Sequence, residues 1–208
     1  MRVRAELSFI RNDDEAVERM RDKRDKGGRN AEAYQYGLVL ALTQKRHFAE
    51  AMEYLTPLRE YSPDNLIYTL AEADIHIESG EFDDALMVLG RSWALYPGSH
   101  PITMAMVKAH LRAGRYTEAE KILAPHARRR GFDPYVWYVL AEVQGLSGNI
   151  YQLHQSRAQY FFLTGNMLAA RAQLGHSLQL APDDVARERI RTEQRQVEQA
   201  ARALGQLK

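Results

Sequence analysis

Gly80, Gly114 and Gly148 stand 34 residues apart, and so do Phe48, Phe82 and Tyr116, with Ile150 one further step on. Ala51, Ala85 and Ala119 keep the step of 34, as do Leu55, Leu89 and Leu123, and Pro63 and Pro97 are separated by 34. One period running through five kinds of residue predicts stacked copies of a supersecondary unit. The motif is G-[EN]-[FYI]-x-x-A-x-x-x-L, with proline about 17 residues past the glycine. Each residue has a physical task. Glycine ends a first helix in the left-handed conformation of a tight turn. The aromatic wedges between two helices. Alanine is small where the helices cross closely, and leucine, four residues on, lies on the same face. Proline closes the second helix and opens the next unit.

The pattern resembles the tetratricopeptide repeat, a helix-turn-helix of 34 residues, over residues 32 to about 182. The expected fold is all-α: an α-solenoid of antiparallel helix pairs. Repeat one is expected over Glu32–Asn65, with Lys45-Arg46 in place of the turn glycine; repeat two over Leu66–Ser99; repeat three over His100–Asp133; repeat four opens at Pro134. Residues 1–30 read as a decayed repeat with helices near Val3–Ile10 and Asp14–Lys26, and 31–182 as the array. Residues 183–208 read as a capping helix, capped by Asp183 or Asp184 and striped by Ile190, Val197 and Leu204.

The period breaks once. Gly148-Asn149 and Gly165-Asn166 are only 17 apart. Counted from Gly148, residues 151–164 are the second helix of repeat four. Counted back from Gly165, they are the first helix of another repeat, marked by Met167, Ala170, Leu174 and Pro182. One shared helix is therefore expected, apolar on two faces through Leu153, Ala158, Tyr160, Phe161, Phe162 and Leu163, with a curled C-terminal end.

Composition excludes some chemistry. There is no cysteine, and 28 basic residues against 27 acidic leave a net charge of +1, which argues against nucleic-acid binding. No run of 18 apolar residues offers a transmembrane segment. No phosphate loop and no serine-histidine-aspartate spacing is present. Glu72, His76 and His110 form a candidate metal set, or else polar residues bonded to their neighbours. His126-Ala127-Arg128-Arg129-Arg130 could hold an anion, or answer a helix dipole. The run at 21–29 reads as a solvated helix end.

In tetratricopeptide repeats the first helices line a concave face. That places Tyr36, Leu40, Gln44, Leu70, Asp74, Ile77, Met104, Lys108, Leu111, Tyr138 and Glu142 in a groove suited to a polypeptide partner. Tyr36, Leu40, Leu70 and Asp74 stand where carboxylate-clamp repeats carry lysine and asparagine, so an acidic chaperone tail is not the expected ligand.

Three stretches resemble the C-terminal repeat region of the β-barrel assembly-enhancing proteases, zinc metalloproteases of the bacterial periplasm. They are RNAEAYQYGLVLALTQKRHFAEAM, WYVLAEVQGLSGNIYQLHQSRAQYFFLTGNMLAARAQL and DDVARERIRTEQRQVEQ. The zinc motif H-E-x-x-H of those proteases is absent. The resemblance therefore implies a repeat half without its protease half, with no cofactor of its own and zinc only in the other half. It implies a periplasmic location. The implied partners are that protease domain and outer-membrane β-barrel proteins or their assembly machinery. It would also place any signal peptide upstream of residue 1. The alternative is a free-standing cytoplasmic adaptor or co-chaperone.

Overall fold

The computed structural model describes residues 13–205. Within them the chain forms eleven helices and no strand. They are α1 (Asp13–Asp25), α2 (Ala31–Gln44), α3 (Phe48–Tyr61), α4 (Leu66–Ser79), α5 (Phe82–Leu95) and α6 (His100–Arg112). After these come α7 (Tyr116–Arg129), α8 (Pro134–Leu146), α9 (Ile150–Leu163), α10 (Met167–Gln179) and α11 (Asp184–Ala203). The expected first helix of the decayed repeat, Val3–Ile10, lies outside the described residues; its partner is α1. The chain divides into two compact units, 1–113 and 114–208.

In the first unit each helix packs on the next, and α4 also packs on both α2 and α6. That is the stacking expected of first helices in successive repeats. The Ala–Leu seam is buried throughout: Ala51, Leu55, Ala85 and Leu89 are wholly inaccessible. Leu55 and Leu58 join Leu38, Val39 and Leu42 in one core cluster, which α1 enters through Ala16, Val17 and Met20. Further along, Leu89 meets Ala73 and Ile102, and Ala85 meets Ile77 and Ala109. Full burial of a leucine contributes about 1.5–3 kcal/mol. Phe48, Phe82 and Tyr116 begin their helices half-buried. The second helices α3 and α5 stop two residues before Pro63 and Pro97.

The turns follow from the glycines. Gly80, Gly148 and Gly165 have φ of 91°, 79° and 80°. The residue after each donates its amide back across the turn, Glu81 to the carbonyl of His76, Asn149 to Gln144 and Asn166 to Phe161, each at 2.8 Å. The two Gly-Asn pairs then start the next helix: Asn149 Oδ1 accepts from the amide of Gln152, and Asn166 Oδ1 from that of Ala169. The same turn in repeat one is built without glycine, and Arg46 takes φ 62°.

In the second unit α7 packs on α8, α8 on α9, α9 on α10 and α10 on α11. The shared helix therefore exists: α9 serves α8 as a second helix and α10 as a first. Its frame toward α8 is altered, since Leu153 stands at the alanine position. Room for it comes from Gly145, where a Cβ would lie 2.9 Å from Leu153 Cδ1. Toward α10 the frame is regular, with Ala170 and Leu174 buried. The helix is less apolar in its contacts than its composition suggests. Leu153 and Ala158 are buried, but Tyr160, Phe161, Phe162 and Leu163 are only half-buried. Two neighbouring helices cannot cover four large side chains spread over more than one stripe.

Asp183 caps α11, accepting from the amide of Ala186 at 2.7 Å, while Asp184 pairs with Arg187. The buried stripe is Ala186, Ile190, Val197 and Ala201. Leu204, expected in that stripe, follows the last helical residue and is exposed.

A left-handed conformation costs a side-chain-bearing residue about 1–2 kcal/mol. Arg46→Gly is therefore expected to stabilise the chain by about 1 kcal/mol in urea unfolding, while the equivalent Gly80→Arg destabilises it by a similar amount.

Candidate functional site

The predicted groove residues fall into three groups. Tyr36 and Ile77 are buried: the Tyr36 ring packs on Tyr68 at 5.8 Å, and Ile77 packs under Ala85. They build the core, because the face of the first helix that carries them is covered by a neighbouring helix, α4 over Tyr36 and α5 over Ile77. Leu40, Leu70, Met104 and Leu111 are half-buried, and Gln44, Tyr138 and Glu142 are exposed. Asp74 and Lys108, also half-buried, are joined. Lys108 Nζ lies 2.7 Å from Asp74 Oδ1 and 2.8 Å from Glu78 Oε1, with Arg112 at 3.7 Å from the same Glu78 oxygen. Burial alone would lower the Lys108 ammonium, but the two carboxylates reverse this and hold it above its ordinary value. The hydrogen bond from Lys108 holds Glu78 below the usual carboxylate range, against burial. This face of the first unit thus satisfies its own charges. In the second unit Tyr138 donates to Glu142 at 2.7 Å and packs its ring against Tyr160.

The metal candidates are not brought together as a set. Glu72 pairs with Arg59 at 2.8 Å, and His76 Nδ1 lies 2.7 Å from Glu81 Oε2. Among the described residues the three groups close enough to share an ion are His76, Glu81 and Asp84 at the α4–α5 turn, the last two exposed. The basic cluster on α7 divides too. His126 is buried, Arg130 pairs with Asp133 at 3.1 Å, and Arg128 projects from the exposed side. In the run 21–29, Arg21 pairs with Glu50 and Lys26 with Asp22, each at 2.6 Å.

The second unit holds a cleft of about 520 Å³ that the sequence did not announce. Its two sides come from α7, through Glu120, Ala124 and Arg128, and from α11, through Arg189, Glu193 and Gln196. Its floor comes from α8 and α9. Trp137, Leu140 and Gln144 form a stripe of α8 distinct from that of Tyr138 and Glu142. Gln152, Gln155 and Gln159 lie along α9, with Phe162 beyond them. The arrangement follows from the half-repeat step, which lets α7 and α11 border one space across α9.

Parts of this cleft are locked. Buried Ser156 donates to Gln144 Oε1 at 2.7 Å. Glu120 accepts from Ser147 Oγ at 2.7 Å and Asn149 Nδ2 at 2.8 Å, pinning the α8–α9 turn. Trp137 Nε1 donates to the carbonyl of Gly131 at 3.0 Å. Gln155 donates to the Tyr151 hydroxyl at 2.8 Å, which also receives Arg189 at 3.1 Å. Glu193 is half-buried here, and burial pushes its carboxyl up, opposed by the charge of Arg189 one turn earlier. Glu120 and Arg128 are the charged groups facing it from α7.

Two outcomes test this geometry. Ser156→Ala leaves the buried Gln144 carboxamide without its donor and is expected to cost about 1–3 kcal/mol in chemical unfolding. Glu193 has a folded value above the unfolded 4.5, so the native state binds more protons and stability falls as pH rises from 4.5 through the folded value. Glu193→Gln is expected to raise the melting temperature at neutral pH, with the difference shrinking to nothing below pH 4.5.

Residues 76–143 match the family model described as Tetratricopeptide repeat. A thermophilic tetratricopeptide-repeat protein of Thermus thermophilus superposes with a TM-score of 0.55 at 17% identity, over 94% of this chain and 95% of that one. A MamA fragment from Desulfovibrio magneticus RS-1 gives a TM-score of 0.51 at 13% identity, over 81% of this chain and 96% of its own. Among the described residues no helix is long and apolar enough to cross a membrane. Residues 76–143 thus carry the tetratricopeptide-repeat signature, and the fold is an all-α solenoid of the tetratricopeptide-repeat type.

Proposed function

We propose that this chain is a non-catalytic polypeptide-binding module, the partner-binding repeat region of a periplasmic zinc metalloprotease that works on outer-membrane protein assembly or quality control. Repeats of this type stack into concave surfaces that hold protein segments. The observation that carries the finer reading is the half-repeat step. Helix α9 packs on both α8 and α10, and the stretch that builds it, GNIYQLHQSRAQYFFLTGN, is the one that resembles the final repeats of those proteases. In this reading the zinc and its H-E-x-x-H helix belong to a protease domain on the same polypeptide, and this chain holds substrate or assembly partners beside it. The second reading is a free-standing cytoplasmic adaptor or co-chaperone. It draws on the repeat fold alone, which serves many tasks.

The two readings differ in the mass and location of the native protein. An antibody raised to this chain is expected to detect a periplasmic band far above 23.8 kDa. A cytoplasmic band at 23.8 kDa overturns the protease setting and leaves the adaptor.

A further inference from the structure

The cleft of the second unit contains unspent hydrogen-bonding capacity. Gln152, Gln159 and Gln196 all line it. Ser156, Gln155 and Glu120 around them are bonded to the protein, whereas these three carboxamides make no side-chain hydrogen bond among the described residues. Each offers one carbonyl acceptor and an amino group with two donor hydrogens, the partners that the N–H and C=O of a peptide group require. Gln152 and Gln159 are seven residues apart on α9, a rise of about 10.5 Å along a helix. Three residues of an extended chain span about 10 Å. Gln196 faces the same space from α11. The same lining includes the half-buried rings of Trp137 and Phe162.

Charge narrows the choice. The four ionisable side chains in the lining, Glu120, Glu193, Arg128 and Arg189, sum to zero. Half-buried Glu193 resists a second anion nearby. A strongly charged ligand therefore gains nothing from this lining and loses its hydration.

We infer that the cleft between α7 and α11 binds an extended, uncharged polypeptide segment, its main chain held by the Gln152, Gln159 and Gln196 carboxamides and an apolar side chain seated against Trp137. This rests on the polypeptide-binding reading and moves the site from the first-helix groove to the space opened by the half-repeat. A hydrogen-bond ladder that reads main chain accepts many sequences. Such a site suits segments not yet folded, whose main-chain groups are still unpaired.

The test uses the full chain in a Trp93→Phe background, which leaves Trp137 as the sole tryptophan, since the chain has 2. The probe is a short peptide of alternating leucine and serine with acetylated and amidated ends, titrated while Trp137 emission is followed. A second peptide carries glutamate in place of serine. Saturable binding of the first peptide with a change in Trp137 emission is expected, and at least tenfold weaker binding of the second. The Gln152→Ala, Gln159→Ala, Gln196→Ala triple variant should weaken the first peptide at least tenfold with an unchanged thermal melt, while Tyr138→Ala stays within twofold. Wild-type affinity in the triple variant overturns the inference, as does preference for the glutamate peptide or saturation of an adventitious surface site with no Trp137 response. Binding that survives the triple variant but is lost in Tyr138→Ala returns the site to the first-helix groove. In that case the inference fails while the polypeptide-binding reading stands. If neither peptide binds, both fail.

Discussion

The fold depends on one contact made again and again: an alanine in the first turn of the regular second helices, followed four residues later by leucine. Ala51, Ala85 and Ala119 are wholly inaccessible, and so are Leu55, Leu89 and Leu123. A larger residue at the alanine would force the two helix axes apart and leave the leucine without neighbours, and interiors packed at crystal density do not absorb such a change. The glycine turns serve this contact. A left-handed residue reverses the chain within three residues, so the second helix begins close enough for its first apolar turn to reach the first.

The second unit solves the same problem by exchange. At α8–α9 the small residue moves from the second helix to the first, Gly145 taking the place of bulk and Leu153 filling it. Bulk is exchanged between the two helices and not added, and cores tolerate such swaps best. That exchange frees α9 to present its ordinary face to α10, where Ala170 and Leu174 resume the pattern. A helix employed on two sides ends the simple stacking, and α11 then shares with α7 the border of a polar-floored cleft. The cleft is thus a product of the irregularity that closes the array, while the regular first-helix face of the first unit spends its charges on the Asp74–Lys108–Glu78 ladder.

Much of this is legible in the residues. The helix pairs, their turns, the shared helix and the capping helix follow from glycine, alanine, leucine and proline recurring at fixed steps. Such residues answer to local geometry, which a sequence carries openly. The departures share a cause. Position in the repeat assigns Tyr36 and Ile77 to the groove, yet the helix face that carries them is covered by a neighbouring helix and they lie in the core. Heptad spacing puts Leu204 in the stripe of the capping helix, yet that helix stops at Ala203 and its face is completed by Ala186 and Ala201. Apolar character alone does not tell which face of a helix finds a neighbour. The stripe Gln152, Gln155 and Gln159 is also visible in the sequence, but a polar stripe on a helix ordinarily faces solvent.

By itself the sequence determined the period, the handed turns and the place where the period halves, because each is enforced by backbone conformation or by steric fit between residues close along the chain. Only the tertiary structure decided which polar groups are satisfied and which are left to bind something else. Glu120 is consumed by a turn 27 and 29 residues away, Lys108 by a carboxylate 34 residues back, and Ser156 by Gln144, while Gln152 and Gln159 are left facing the cleft. Those partnerships depend on how whole helices are placed, and hydrogen bonds act only at contact.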